Sequence, residues 1–355
     1  MRRNGTLILC YHRVAEDVDD PFYLCVRPGN FAAHLEELLR SREPSTLADV
    51  SVPSRRPRVV VTFDDGYRDN LTNALPIAQS KGVPITFFVT SGILGSHDGF
   101  WWDRLGTLLR ARPPQMGAID LPVGGRNVRL PLGSSGIRAD LDAVRRHLLP
   151  LRVTEIERVL DAVSEHWQVG SAPPPDAGTL TPEDLRQLAA SETATIGAHT
   201  VDHVRLQDRS SQEQQDAIAG SKGALEQSIG RAVPHFAYPF GGRDDFDDRS
   251  VDAVRSAGFD TACTTIPGTA RPSTDPYRLP RRVVMDWGRL RFRVQMQRWR
   301  VGRGSRPLAS VPGGAIDCRT VRRYRSLSAH TPKIVGCSSR SRSLLSKLRP
   351  HHRSR

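Results

Sequence analysis

The chain has 355 residues, with 51 Lys and Arg against 38 Asp and Glu, a formal net charge of +13. As an average, that charge would suggest an anionic partner such as nucleic acid or a membrane surface. Its distribution argues otherwise: residues 301–355 hold 13 basic side chains and one acid, Asp317, which leaves 38 basic and 37 acidic in residues 1–300.

A hydrophobic content of 38% excludes disorder throughout. The longest apolar runs, such as Leu7 to Cys10 and Val59 to Val61, fall far short of the roughly 20 residues of a membrane-spanning helix. The start, MRRNGTLILCYHRV, is too short in apolar residues for a secretion signal and has no small-residue cleavage site, so a cytoplasmic chain is expected. Cys10, Cys25, Cys263, Cys318 and Cys337 are odd in number and lack any C-x-x-C spacing. Reduced structural thiols are expected rather than a disulfide framework or a zinc-thiolate site.

Short apolar runs alternate with helical patterns along the chain. Thr6 to Tyr11 reads as a buried strand, Phe31 to Arg40 as a helix, Arg58 to Phe63 as a second strand, Tyr67 to Ser80 as a helix containing Pro76, and Ile85 to Val89 as a third strand. This rhythm of β-branched strands and helices predicts a parallel sheet covered by helices. Between residues 95 and 180 the rhythm lapses. Phe100 to Leu109 reads as an amphipathic helix, Leu121 to Leu132 as a hairpin, and Ile137 to Trp167 as two helices broken near Pro150, together an insertion closed by the linker APPPDAG. Thr181 and Pro182 then cap a new helix. The strands Thr195 to Ala198, His235 to Tyr238 and Phe259 to Thr264 follow, with helices over Ser211 to Ile229 and Arg249 to Ala257. Residues 1–290 thus read as one α/β domain, with 95–180 as its insertion, and residues 301–355, rich in Ser, Arg, Gly and Pro, as a disordered tail.

Three strand ends carry polar groups. In Thr62-Phe63-Asp64-Asp65-Gly66, two carboxylates sit where parallel α/β folds place their chemistry. Gly66 can supply a turn that lets both converge, one binding a metal and the other staying free as a base; a simple helix start is the bland alternative. In His199-Thr200-Val201-Asp202-His203, the i, i+4 spacing places two imidazoles on one face of a helical turn. With Asp65 they would form a His-His-carboxylate site for a divalent ion. In Phe236-Ala237-Tyr238-Pro239-Phe240-Gly241-Gly242, Pro239 and the glycines fix a backbone course that can aim an N–H at an oxyanion. A strand-terminating turn with aromatic packing would explain the same residues.

T-F-D-D-G, H-T-x-x-H and F-A-Y-P-F-G, in that order and each behind a strand, resemble the first three motifs of the polysaccharide deacetylase family (the NodB-homology domain, carbohydrate esterase family 4). The resemblance runs from about Leu7 to Trp287, and Tyr11-His12-Arg13-Val14 is similar to the exopolysaccharide-type branch. It implies a distorted (β/α)7 barrel and metal-dependent hydrolysis of acetamido groups on sugars. It makes Asp64 the base, Asp65, His199 and His203 the ligands of a divalent ion (Zn²⁺ most simply, with Co²⁺, Mn²⁺ or Ni²⁺ as substitutes), and Phe240 the donor of an oxyanion-binding N–H.

Two departures stand out. The family's third motif commonly has Arg where this chain has Ala237, and the fifth usually ends in a His that serves as general acid, where the chain has Arg282. Arg281 or Arg282 is the expected partner of Asp64. His12, water or a recycled Asp64 would protonate the leaving amine. Tyr238, Phe240 and Trp101 are candidates for stacking sugar rings, with Trp102 and Trp287 as weaker ones. The expected partner is an N-acetylated glycan; no nucleic-acid motif accompanies the tail, whose charge would at most tether it to anionic lipid or an acidic glycan. A carbohydrate-binding relative that has lost turnover is the competing reading.

Overall fold

The structure is a computed structural model that describes residues 5–16, 20, 22–96, 99–133, 136–172 and 178–300. The basic tail, Cys318, Cys337 and most of the proline-rich linker lie outside the described residues. Seven parallel strands, β1 (Thr6–Tyr11), β2 (Arg58–Phe63), β3 (Ile85–Val89), β4 (Ala194–Ala198), β5 (His235–Ala237), β6 (Thr261–Cys263) and β7 (Arg282–Val283), form one curled path in the order β6-β5-β4-β3-β2-β1-β7. Glu43–Pro44 adds a short pairing to β2. Ahead of β7, the Leu279 N–H donates to Ala262 O and its carbonyl accepts from the Thr264 N–H, so the approach to the last strand bridges the two ends of the path. This is the architecture expected of a distorted (β/α)7 barrel.

The period-two alternation of each strand separates two environments. Leu7, Leu9, Val59, Val61, Phe63, Ile85 and Phe87 pack beneath the helices. Those helices are α1 (Pro28–Leu39), α2 (Leu75–Gln79), α6 (Pro182–Ala190), α7 (Ser211–Ile229), α8 (Asp248–Ser256) and α9 (Arg289–Arg300), numbered so that three insertion helices fall between α2 and α6. The intervening residues Ile8, Val60 and Phe88 join Cys263 and Leu279 in a smaller cluster on the other face. Thr62 and Asp64 continue the phase of Val60, and Cys10 that of Ile8. The same alternation that buries the core therefore sends these polar groups to the inner face at the strand ends.

The helix read over Tyr67 to Ser80 is split. Pro76, which lacks an N–H, stands at the start of α2, and the preceding turn winds as a π-helix over Asn70–Ala74. The insertion holds α3 (Trp101–Ala111), a hairpin of Ala118–Val123 and Arg126–Pro131, α4 (Ile137–Leu148) and α5 (Val153–Trp167) around its own core of Trp101, Leu105, Leu141, Val144, Leu160 and Trp167. Gly124 and Gly125, both at positive φ, close the hairpin, as a two-residue turn requires. Cys10, Cys25 and Cys263 are buried free thiols. Among the described residues no helix is long and apolar enough to cross a membrane.

Candidate active site

The strand ends open into a cleft of about 950 Å³, counted to the solvent at its mouth, whose floor holds Asp64, Asp65, His199 and His203. The two adjacent carboxylates face different partners. Asp64 is clamped by Arg281, whose Nη1 donates to Oδ1 at 2.6 Å and Nη2 to Oδ2 at 2.7 Å. The fully buried guanidinium also donates to Thr62 Oγ1 and Thr264 O. Burial opposes ionisation of Asp64, but the Arg281 charge and hydrogen bonds, with the neighbouring His199 and His12, together outweigh it and hold the carboxyl below the usual carboxylate range. The Cys10 thiol, kept protonated by burial, donates to Asp64 Oδ2 at 3.4 Å. Arg282, the alternative cation, lies over the Trp299 ring instead.

Asp65 Oδ1 lies 3.5 Å from His199 Nε2 and 3.3 Å from His203 Nε2. Burial would raise its pKa, but its contacts with the two imidazoles hold it well below the usual range. His199 Nδ1 must donate to the Ala237 carbonyl at 2.7 Å, because that oxygen only accepts, so Nε2 is the ring nitrogen that faces Asp65. Three buried donor atoms of one N/N/O set converging within 4.8 Å suit a divalent ion such as zinc.

The backbone is strained here. Asp65, Thr200, His203 and Phe240 all have positive φ, four of only six such non-glycine residues among those described. Segment 199–203 is therefore not the helical turn that the i, i+4 spacing predicts. It is a loop in which Thr200 Oγ1 accepts the His203 N–H and donates to the His199 carbonyl, bringing the two rings within 4.8 Å. The left-handed turn at Phe240 continues through Gly241, and Thr265 Oγ1 donates to the Phe240 carbonyl at 2.6 Å.

His12 and Phe240 line the cleft, but Trp101 and Tyr238 do not. Trp101 is buried in the insertion core, and the helical phase of α3 sends its neighbour Trp102 to the cleft instead, with the Trp102 ring 4.8 Å from that of His203. Trp102 Nε1 donates to the Tyr67 hydroxyl, which in turn donates to Asp103 Oδ2. Tyr238 is fully buried, stacked on Phe246 at 4.1 Å with its hydroxyl donating to the Tyr277 carbonyl. Trp287 is buried and meets Trp299 of α9. The sequence reading missed Cys10, Thr62 and three charged residues of α4, Arg138, Asp142 and Arg145, which also line the cleft or border its base. Thr62 was within reach of it, two residues before Asp64 on one strand face; the α4 residues come from a segment with no motif.

The sequence profile of the family described as polysaccharide deacetylase matches residues 51–262. YxkH of Bacillus subtilis (strain 168), named for the same family, is 21% identical over 281 residues, which cover 77% of this chain and 69% of that protein. IcaB from Ammonifex degensii superposes with a TM-score of 0.54 at 18% identity, covering 83% of this chain and 97% of its own. The Streptococcus pyogenes deacetylase PplD, solved in complex with acetate, gives 0.53 at 16%, covering 84% and 98%. At these identities the two structures speak to the fold.

Proposed function

The chain belongs to the polysaccharide deacetylase family and is a glycan-deacetylating enzyme; we propose that it hydrolyses the acetamido group of N-acetylhexosamine units, with Asp64 as base beside a divalent ion held by Asp65, His199 and His203. The observation that carries this reading is the division of labour between neighbouring carboxylates: Asp64 faces Arg281, and Asp65 faces two imidazoles, in the floor of one cleft. When bound, the ion, most simply Zn²⁺, supplies a water of lowered pKa and polarises the acetyl carbonyl.

Asp64 accepts the proton of the attacking water as the oxygen closes on the acetyl carbon. Arg281 keeps the carboxylate ionised and fixed, and Oδ1, which accepts from Arg281 but not from Cys10, retains a further lone pair for the proton. The N–H of Phe240, which lines the cleft at a left-handed turn, stabilises the oxyanion that forms. His12, half-buried at the cleft, returns a proton to the nitrogen as the C–N bond breaks, giving acetate and a free amine. Phe240 and Trp102 offer aromatic faces to the sugar.

The test is acetate release from N-acetylglucosamine oligomers, with zinc and with chelator, by the purified chain and its Asp64→Ala and His203→Ala variants. Release by the zinc-loaded chain is expected, with a loss of at least about 100-fold in each variant and on chelation. Oligomer binding without acetate release under any metal would overturn the reading in favour of a binding protein.

A further inference from the structure

We propose that Asn70 is a positioning residue for His12: the π-turn that follows the two floor carboxylates grips the backbone of residues 12–14 and so fixes the imidazole beside Asp64. This rests on the reading of His12 as the group that protonates the leaving amine. A proton donor must keep a set place relative to the base, because a shift of about 1 Å in a reacting group can cost roughly 100-fold in rate. A His12 ring nitrogen lies within 4.8 Å of an Asp64 carboxylate oxygen. The ring is half-buried and makes no hydrogen bond of its own among the described residues, so its place is set through the main chain.

Four contacts hold that stretch, all from one turn. Asn70 Nδ2 donates to the His12 carbonyl at 2.8 Å, and Asn73 Nδ2 donates to the Val14 carbonyl at 2.8 Å. Between them, Asp69 Oδ1 accepts the Val14 N–H at 3.0 Å and Oδ2 accepts from Arg13 Nε at 2.9 Å. Asn70 Nδ2 also reaches Asp69 Oδ1 at 3.1 Å, which ties two of the grips together, and both residues are buried. The turn winds as a π-helix over Asn70–Ala74, an irregularity that recurs at functional sites. One continuous segment therefore presents Asp64 to the cleft and, just past Gly66, holds His12. A second link runs the other way, from the Asp64 N–H to the Tyr11 carbonyl at 3.0 Å. Base and acid are thus tied to each other through two short backbone connections, and Asn70 is the side chain that bonds His12 itself. A grip that only satisfied buried backbone groups would lower every activity of the site alike, whereas one that places the acid acts where a proton is needed.

The test gives zinc-loaded enzyme two acetyl donors: an N-acetylglucosamine oligomer, whose amine must be protonated to leave, and para-nitrophenyl acetate, whose phenolate leaves without a proton. Asn70→Ala is expected to lower kcat for the amide by about tenfold or more with little change in KM, and to alter ester hydrolysis by less than about twofold. His12→Gln should show a larger split of the same kind, and adding Asn70→Ala to it should change the amide rate by less than about threefold. Asn73→Ala, which removes a bond to Val14 and none to His12, should leave both substrates alone. Asn70→Ser, too short to bond the His12 carbonyl, repeats the test should the alanine variant not fold. A readout without turnover is the NMR signal of the His12 ring in chelator-treated protein carrying isotope-labelled histidine. That signal, identified by its loss in His12→Gln, should shift in Asn70→Ala and stay in place in Asn73→Ala. Equal loss of amide and ester turnover, additive losses in the double variant, or an unmoved His12 signal would overturn the proposal. Full amide turnover by His12→Gln would overturn the acid role of His12 and this proposal with it. No acetate release by the wild-type chain would sink the deacetylase reading, and the His12 signal would still decide whether Asn70 places the ring.

Discussion

A carboxylate removed from water is costly unless a cation shares its site, and among the described residues Asp64 meets that cost through the paired hydrogen bonds of Arg281. Arg281→Gln should therefore leave a buried charge unmatched, at about 3–5 kcal/mol in urea unfolding, with loss of turnover. Arg281→Lys keeps the charge but not the fork that reaches both Asp64 oxygens, Thr62 and Thr264, and should fall between. Adding Asp64→Asn to Arg281→Gln should restore much of the stability and none of the activity. A double variant as unstable as the sum of its parts would show that the pair does not hold this region together. The missing arginine at Ala237 made a substitute cation foreseeable from sequence. Which of Arg281 and Arg282 serves was not foreseeable: Arg281 precedes and Arg282 opens a two-residue strand, neighbours on an extended segment face opposite ways, and nothing in the local pattern sets the phase.

Strand ends were legible because buried β-branched runs stop abruptly at polar residues, whereas the loops beyond them were not. H-x-x-x-H is compatible with a helical turn, yet Thr200 and His203 take left-handed conformations that the spacing does not encode. Trp101 was the tryptophan expected at the cleft, but the packing of α3 buries it and sets Trp102 there instead. Where a loop is strained, its neighbours must hold it. At Gly241, φ is +68° and an added Cβ would lie 2.8 Å from Thr265 N and 3.1 Å from Tyr238 O. Gly241→Ala should cost about 1–3 kcal/mol and, by displacing Phe240, lower kcat by about tenfold or more with a smaller change in KM. Gly230, with φ +69° at the end of α7 and nothing within 4 Å of an added Cβ, supplies the control. Gly230→Ala should cost about 1–2 kcal/mol and leave kcat alone. Equal kinetics in the two variants would separate backbone strain at Gly241 from the chemistry.

At the scale of the whole molecule, the net charge of +13 conveys little about which titrations govern stability. Its excess lies in residues 301–355, outside the described residues, while buried groups in the near-neutral body carry the linkage. His34 of α1 is fully buried, with Nε2–H donating to the Trp287 carbonyl, the Tyr11 hydroxyl at Nδ1, and its ring stacked 4.0 Å from Phe292 of α9. Burial pushes its pKa down to about 4, and that of His235 in β5 likewise. Between pH 6.5 and 4 the unfolded chain takes up protons that these folded imidazoles refuse, so their contribution is whole above about pH 6.5, declines as pH falls and levels off below about 4. Asp103 opposes them. Burial pushes its carboxyl up to about 7, so acidification relieves the cost of its charge over much of the same range. The wild-type profile mixes these signs, and a difference between variants isolates one of them. His34→Phe keeps the stacking area but cannot titrate, and its stability deficit relative to wild type, read from urea midpoints, should shrink by about 3 kcal/mol from pH 7 to pH 4. A deficit constant across that range would mean that His34 is protonated in the folded protein, and that the junction of α1 with α9 tolerates a charge its packing gives no means to solvate.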